Sequence, residues 1–387
     1  MKLIPEILDR HEEMKSWRRD LHAHPETAFE EERTSDFVAS RLEKFGLKVR
    51  RGLARTGVVG TLENGSGRKI GLRADMDALD IRELNTFDHK SRHEGKMHAC
   101  GHDGHTTMLL GAAEYLATRR NFQGSIYFIF QPAEENEGGG RVMVEEGLFD
   151  EFPAEAIFGL HNWPGIPAGV MAVQSGPIMA SYDVFTITVQ GRGAHAAMPH
   201  LGRDPIPVAA EIISALQRLV SRETNPLDSA VVSVTQIRAG DAFNVIPETA
   251  ELKGTVRCFR PEVQDRLEER IKQVASGIAG AAETEAKVVY ERRYPATINH
   301  PKETEFARGV ALEIAGPERF IHDLPPSMGS EDFSFMLGRV PGCYARLGNG
   351  PGEGGCILHS PFYDFNDDVL PIGASYFARL AEAFLNE

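Results

Sequence analysis

Apolar residues along the chain recur with two different periods, and the change of period divides it. Phe37, Val38, Leu42 and Phe45 repeat at helical spacing with Gly46 as a stop, which predicts an amphipathic helix from about Glu30 to Phe45. Short apolar runs follow at GVVGTL (57–62), KIGLRA (69–74), SIYFIF (125–130) and AIFGL (156–160). A helical run, TTMLLGAAEYLATR (106–119), lies between the second and third. Strands alternating with helices predict an α/β sheet.

From Tyr182 the pattern changes. A strand (DVFTITVQ), a helix (PVAAEIISALQRLV, 207–220) and two strands (AVVSVTQI, 230–237; AELKGTVRCF, 250–259) are followed by a helix (PEVQDRLEERIKQVASGI, 261–278) and a last strand (AKVVYERR, 286–293). This β-α-β-β-α-β order is the ferredoxin-like plan. It reads as a domain inserted at the surface of the first, so the expected organisation is a catalytic α/β domain of residues 1–180 and 296–387 and an inserted domain over 181–295.

Composition narrows the function classes. At 387 residues the chain exceeds what one core usually supports, about 250–300. It is 42% hydrophobic and 25% charged, as a globular protein is, with no apolar run near the ~18 residues of a membrane helix. The first thirty residues mix acids and bases without a basic start and an apolar block, so a cytoplasmic location is expected. A net charge of −14 with no basic tract excludes nucleic acid as a natural partner. Cys100, Cys258, Cys343 and Cys356 are far apart, which argues against a disulfide framework or a zinc ribbon.

The stretch MHACGHDGH (97–105) crowds three histidines, a cysteine and an aspartate into nine positions. With Asp103 and Gly104 capping a helix that begins near Thr106, residues 97–102 are expected to be extended or looped, placing His98, Cys100 and His102 on one side. That set suits a divalent transition metal, although spacing alone does not say which of the three bind, and a polar turn is the plainer reading. Other strand ends add weight. SIYFIF runs into Glu134 and Glu135, AIFGL into His161, and KIGLRA into Asp75 and Asp77, while His359 comes from the C-terminal part. In an open α/β sheet ligands gather at the carboxyl ends of strands. Adjacent glutamates in a near-extended chain point apart, so one can coordinate a metal while the other acts on metal-bound water. A solvated acidic loop is the alternative for that pair.

RRDLHAHPE (18–26), LRADMDAL (72–79), MHACGHDGHTTMLLGAA (97–113), QPAEE (131–135), GLHNWP (159–164), GRGAHAAMPHLGRDP (191–205), NVIPE (244–248) and GSEDF (329–333) occur in this order over nearly the whole chain. Together they resemble the aminoacylase and hippurate hydrolase family of metal-dependent amidohydrolases, which includes auxin-conjugate hydrolases and N-acetyl-diaminopimelate deacetylases. The resemblance implies a metallopeptidase-type α/β catalytic domain with an inserted ferredoxin-like lid and dimerisation domain. It implies two divalent ions (Zn, Mn, Co or Ni) on Cys100, His102, Glu135, His161 and His359, with Glu134 as general base. It also implies that His195, from the partner subunit, and Asn244 meet the substrate, and makes Arg257 a candidate for the substrate carboxylate. Asp75 falls behind the ligands, orienting a histidine; His98, Asp103 and His105 are left to packing or support. Asp80 stands where the family pattern has proline, which puts only local loop geometry in doubt.

The expected function is therefore hydrolysis of the amide bond of N-acyl amino acids by a homodimer or higher homo-oligomer acting on a small-molecule substrate. A dipeptidase or carboxypeptidase of the same chemistry is the alternative. A non-catalytic protein on this fold is disfavoured because the base and all five ligand positions are present.

Overall fold

A computed structural model of the chain describes residues 1–135, 137–352 and 356–387. The chain forms two compact units: Met1–Gly176 with Ile298–Pro325 and Asp332–Glu387, and Pro177–Thr297 with Pro326–Glu331.

The first unit is built on an eight-stranded sheet in the order Lys48–Leu53, Gly57–Asn64, Gly124–Gln131, Arg68–Asp75, Ala156–Pro164, Gly342–Gly350, Met171–Ala172, Phe320–Ile321. The four strands from Gly124–Gln131 to Gly342–Gly350 run parallel, and the hairpin of Lys48–Leu53 and Gly57–Asn64 extends one side antiparallel. Those central strands are almost wholly buried, which is why they read as continuous apolar runs. Helices His102–Arg119 and Leu370–Asn386 pack on each other and on strand Arg68–Asp75. Parallel pairing sets Asp75 beside Gln131 and Arg73 beside Gly159, so the carboxyl ends of three strands stand level with one another.

The predicted helix at 30–45 is Glu32–Lys44, and each predicted strand is found within a few residues. Helix His102–Arg119 starts four residues earlier than expected, with Gly101 at φ 102° turning the chain into it. His102 and Asp103 therefore lie in the first helical turn and not in an extended segment. The helix is buried on nearly every side from His102 to Ala113, so it lacks the apolar-polar contrast that would have marked its beginning. A side chain at position 101 would also meet the Asn162 amide at 2.1 Å, so only glycine fits that turn.

The second unit has a four-stranded antiparallel sheet ordered Ala230–Ala239, Thr249–Cys258, Tyr182–Gln190, Glu285–Tyr294, with helices Pro205–Arg218 and Pro261–Ala281. Strand burial alternates residue by residue, as the period-2 pattern requires. Phe185, Ile187, Val189, Leu252 and Val256 face Val208, Ile212, Leu216, Leu267 and Ile271 of the two helices in one core. The ferredoxin-like order is confirmed. Segment Pro326–Glu331 pairs with this unit through Ser327, which donates to Ile178 and accepts from Ala180. Its position far along the chain hid that membership.

Candidate metal centre

Cys100, Glu134, Glu135, His161 and the two helix residues His102 and His105 meet beyond the ends of the parallel strands. Their donor atoms fall into groups lying within 4.8 Å of one another: Cys100, His102 and His161; His102, Glu134 and Glu135; Cys100, Glu135 and His359. The thiol of Cys100 is 3.5 Å from His161 Nε2, and His359 Nε2 is 3.3 Å from Glu135 Oε2. The structure thus brings together the five residues expected as ligands and the adjacent glutamate.

Hydrogen bonds settle which imidazole nitrogens are available. His102 Nδ1 donates to the Asp77 carbonyl at 2.9 Å and lies 3.2 Å from its carboxylate, leaving Nε2 facing the cluster. His161 Nδ1 donates to the Asn162 carbonyl at 2.5 Å, which likewise turns Nε2 inward. His105 has no nitrogen to spare, since Nδ1 donates to Asp75 at 2.6 Å and Nε2 accepts from the Asn162 amide at 2.9 Å. Asp75, His102 and His105 also lie close enough to form a group, but His105 is spent on holding Asp75 and Asn162. His98 is buried and joins no such group among the described residues.

The electrostatics fit a cation. His102 Nε2 and Glu135 Oε1 are buried and have no hydrogen-bond partner, an arrangement that is costly unless something fills it. Burial would lower the His102 imidazole, yet Asp75, Asp77 and Glu135 outweigh it and raise it to about 10. A proton there does what a metal ion would do. Burial, reinforced by Glu135, Glu134 and Asp75, pushes the Cys100 thiol far up, so a thiolate in this setting needs a strong positive partner. Burial beside His105 holds His161 well down, leaving it a neutral donor. The residues present fit two divalent ions.

Asp77 is the supporting residue that the sequence pattern left unassigned. It anchors His102, and its Oδ2 accepts from the Glu135 amide at 3.0 Å. Asp75 instead joins Arg73 at 2.7 Å and His105. Burial would raise it, but His102, Arg73 and His105 keep it well below the usual carboxylate range. Arg73 continues to Gln131 and Asp332, a buried ionic network under the site. The only signal for Asp77 was its place two residues beyond Asp75, on the loop after the strand.

In the second unit, His195 and Asn244 adjoin across the two-stranded pair Ala194–His195 and Val245–Ile246; the Ala196 amide donates to the Asn244 carbonyl at 3.0 Å. His195 is exposed, with Nδ1 accepting from the Ala197 amide at 3.1 Å, so Nε2 can serve as a donor. Arg257 is held by Ser330 at 2.9 Å and stacks over Tyr182 at 4.0 Å.

A thiol, imidazoles and two adjacent glutamates gathered at the carboxyl edge of a parallel sheet define a metal-dependent hydrolase. Residues 71–383 match the peptidase family M20/M25/M40, and the chain belongs to it. The chain is 44% identical over 386 residues to the hippurate hydrolase of Campylobacter jejuni, covering 100% of both. It is 42% identical over 389 residues to the IAA-amino acid hydrolase ILR1-like 2 of Arabidopsis thaliana, covering 99% of this chain and 87% of that one. The crystal structure of the YXEP protein of Bacillus subtilis, described as a dinuclear metal-binding peptidase of the M20 family, superposes with a TM-score of 0.86 at 35% identity and covers 98% of this chain and 99% of its own. The family and fold expected from the motifs are borne out. The protein is a hydrolase of amide bonds.

Proposed function

We propose that the protein hydrolyses the amide bond of N-acyl amino acids at a centre of two divalent ions held by Cys100, His102, Glu135, His161 and His359, with Glu134 as general base. The observation that carries this reading is the pair of buried atoms without a hydrogen bond, His102 Nε2 and Glu135 Oε1, which face each other at 3.9 Å in the same cluster as Glu134. Hippurate and IAA-amino acid conjugates, the substrates named for the two relatives, are N-acyl amino acids, which supports the substrate class.

Bound ions acidify water and polarise the amide carbonyl. Glu134, 6% exposed, takes the proton from the attacking water and delivers it to the leaving nitrogen as the C–N bond breaks, yielding a carboxylic acid and a free amino acid. Asp77 keeps His102 in the tautomer that presents Nε2. His195 of the partner subunit donates to the developing oxyanion from Nε2, Asn244 lies next to it, and Arg257 receives the substrate carboxylate. In this reading residues 1–180 and 296–387 form the catalytic domain, and 181–295 form the lid through which a homodimer assembles. Mixed thiolate and imidazole donors favour zinc, manganese, cobalt or nickel. A cytoplasmic site of action accords with four free cysteines. Among the described residues no helix is long and apolar enough to cross a membrane.

The test is a panel of N-acetyl amino acids, N-benzoyl amino acids and dipeptides offered to metal-reconstituted enzyme. N-acyl amino acids should be cleaved with release of the amine. Turnover of dipeptides alone would replace this reading with the less favoured dipeptidase one.

A further inference from the structure

Seven non-glycine residues among those described have positive φ, and four of them border one carboxylate. Glu31 is fully buried and stands at the start of helix Glu32–Lys44. Its Oε2 accepts from Thr56 Oγ1 at 2.6 Å and its Oε1 from the Ala133 amide at 2.9 Å. Phe29 (φ 60°) lies two residues before it, Ala54 (48°) and Arg55 (69°) immediately precede Thr56, and Ala133 itself is at 55°. Left-handed backbone is unfavourable for residues with a side chain and survives where the surroundings over-determine it, most often at functional sites. Among the described residues no cation pairs with Glu31. Burial, with Asp77 nearby, pushes its carboxyl up to about 7. A buried carboxyl so costly to keep needs a purpose.

Its hydrogen bonds point to one. Ala133 immediately precedes Glu134 and Glu135, and its two peptide groups are tied on both sides: its amide to Glu31, its carbonyl to the Gly139 amide at 2.9 Å. We propose that Glu31 is a positioning residue for the reaction, locking the left-handed Ala133 to Thr56 and so aiming Glu134 at the water it deprotonates. This rests on the assignment of Glu134 as base. Glu31 touches neither metal nor substrate, so its loss should appear in turnover and not in binding.

Steady-state kinetics and metal analysis of the reconstituted enzyme test this. Releasing Ala133 from an unfavourable conformation should lower kcat of Glu31→Ala roughly 5- to 30-fold, with KM within about twofold and metal content unchanged. Glu31→Gln should stay within about threefold of the parent, because the amide oxygen can accept from Ala133 while its NH2 donates to the threonine hydroxyl. Ala133→Gly placed in Glu31→Ala should recover much of kcat, since glycine adopts positive φ without steric cost. A residue that only stabilised the fold would show no such rescue. Parental kcat in Glu31→Ala, or a loss in Glu31→Gln as large as in Glu31→Ala, overturns the proposal. If Glu31→Ala does not fold, Thr56→Val takes its place as the near-isosteric loss of one anchor, and unchanged kcat there is the overturning result. Glu134→Gln is measured alongside: if it keeps parental turnover, the base assignment fails and takes this proposal with it, whereas an inactive Glu134→Gln beside an unimpaired Glu31→Ala overturns the positioning role alone.

Discussion

Replacing Asp77 by asparagine preserves its shape and removes one hydrogen-bond acceptor from beneath the metal centre. In the parent, Oδ1 lies 3.2 Å from His102 Nδ1, the Asp77 carbonyl accepts from that nitrogen at 2.9 Å, and Oδ2 accepts from the Glu135 amide at 3.0 Å. Asparagine has one side-chain oxygen for these two donors, so its NH2 must face either His102 Nδ1–H or the Glu135 N–H. A buried donor left in that position costs about 1–3 kcal/mol. Both residues at risk are proposed ligands, so the cost should be expressed in metal binding. His102 keeps the backbone carbonyl as an acceptor, which limits the loss and places it within the 10- to 100-fold typical of residues that orient ligands, or about 1.4–2.7 kcal/mol. The assay is competition between metal-stripped protein and a fluorescent chelator, read as the affinity of the weaker ion, with circular dichroism to show that both stripped proteins are folded. An Asp77→Asn protein that is folded and binds both ions within about twofold of the parent would refute the reasoning.

Glu134→Gln should retain its metals and lose about 10²-fold or more in kcat, whereas Glu135→Gln should lose metal as well; metal analysis and kinetics on both variants decide it, and equal metal loss counts against the division of labour. His22 is fully buried; burial lowers it, but hydrogen bonds to Asp103 and Glu83 raise it to about 9. A raised folded-state pKa stabilises fully below the unfolded value near 6.5 and is lost as pH climbs through about 9, so the advantage of the parent over His22→Gln in urea unfolding of stripped protein should shrink by about 3 kcal/mol across that window. A gap that stays constant with pH would show that His22 does not titrate there. Mixing a chain lacking Glu134 with one lacking His195 should return roughly a quarter of parental activity if His195 acts across a dimer, because half the dimers are mixed and each has one intact site. Heterodimers verified by native mass spectrometry with no recovered hydrolysis would place His195 in its own chain.

The legible parts of this protein are those in which a residue's environment is set by its near neighbours in sequence. Alternation in DVFTITVQ survives as alternating burial in Tyr182–Gln190, and the continuous apolar runs are the doubly covered parallel strands. Ligand-type residues just past those runs could be placed at one sheet edge, because parallel strands put their carboxyl ends together. The start of helix His102–Arg119 is not legible for a related reason: burial on nearly every side erases the local contrast, and the turn at Gly101 answers to Asn162, sixty-one residues away.

What each side chain does there was decided by packing. In the sequence His98, His102 and His105 are equivalent members of one stretch. In the fold His105 is consumed by Asp75 and Asn162, His98 joins no ligand group among the described residues, and His102 is turned by Asp77 so that Nε2 is left over. The same holds for Glu31, a charged residue in the run EEE that lies one hundred and two positions from the Ala133 amide it holds. Backbone periodicity is a local property and is written in the order of residues. The nitrogen a histidine presents, and the carboxylate that can be buried without a counter-ion, depend on donors and acceptors brought together from distant segments, and only the tertiary structure chooses among them.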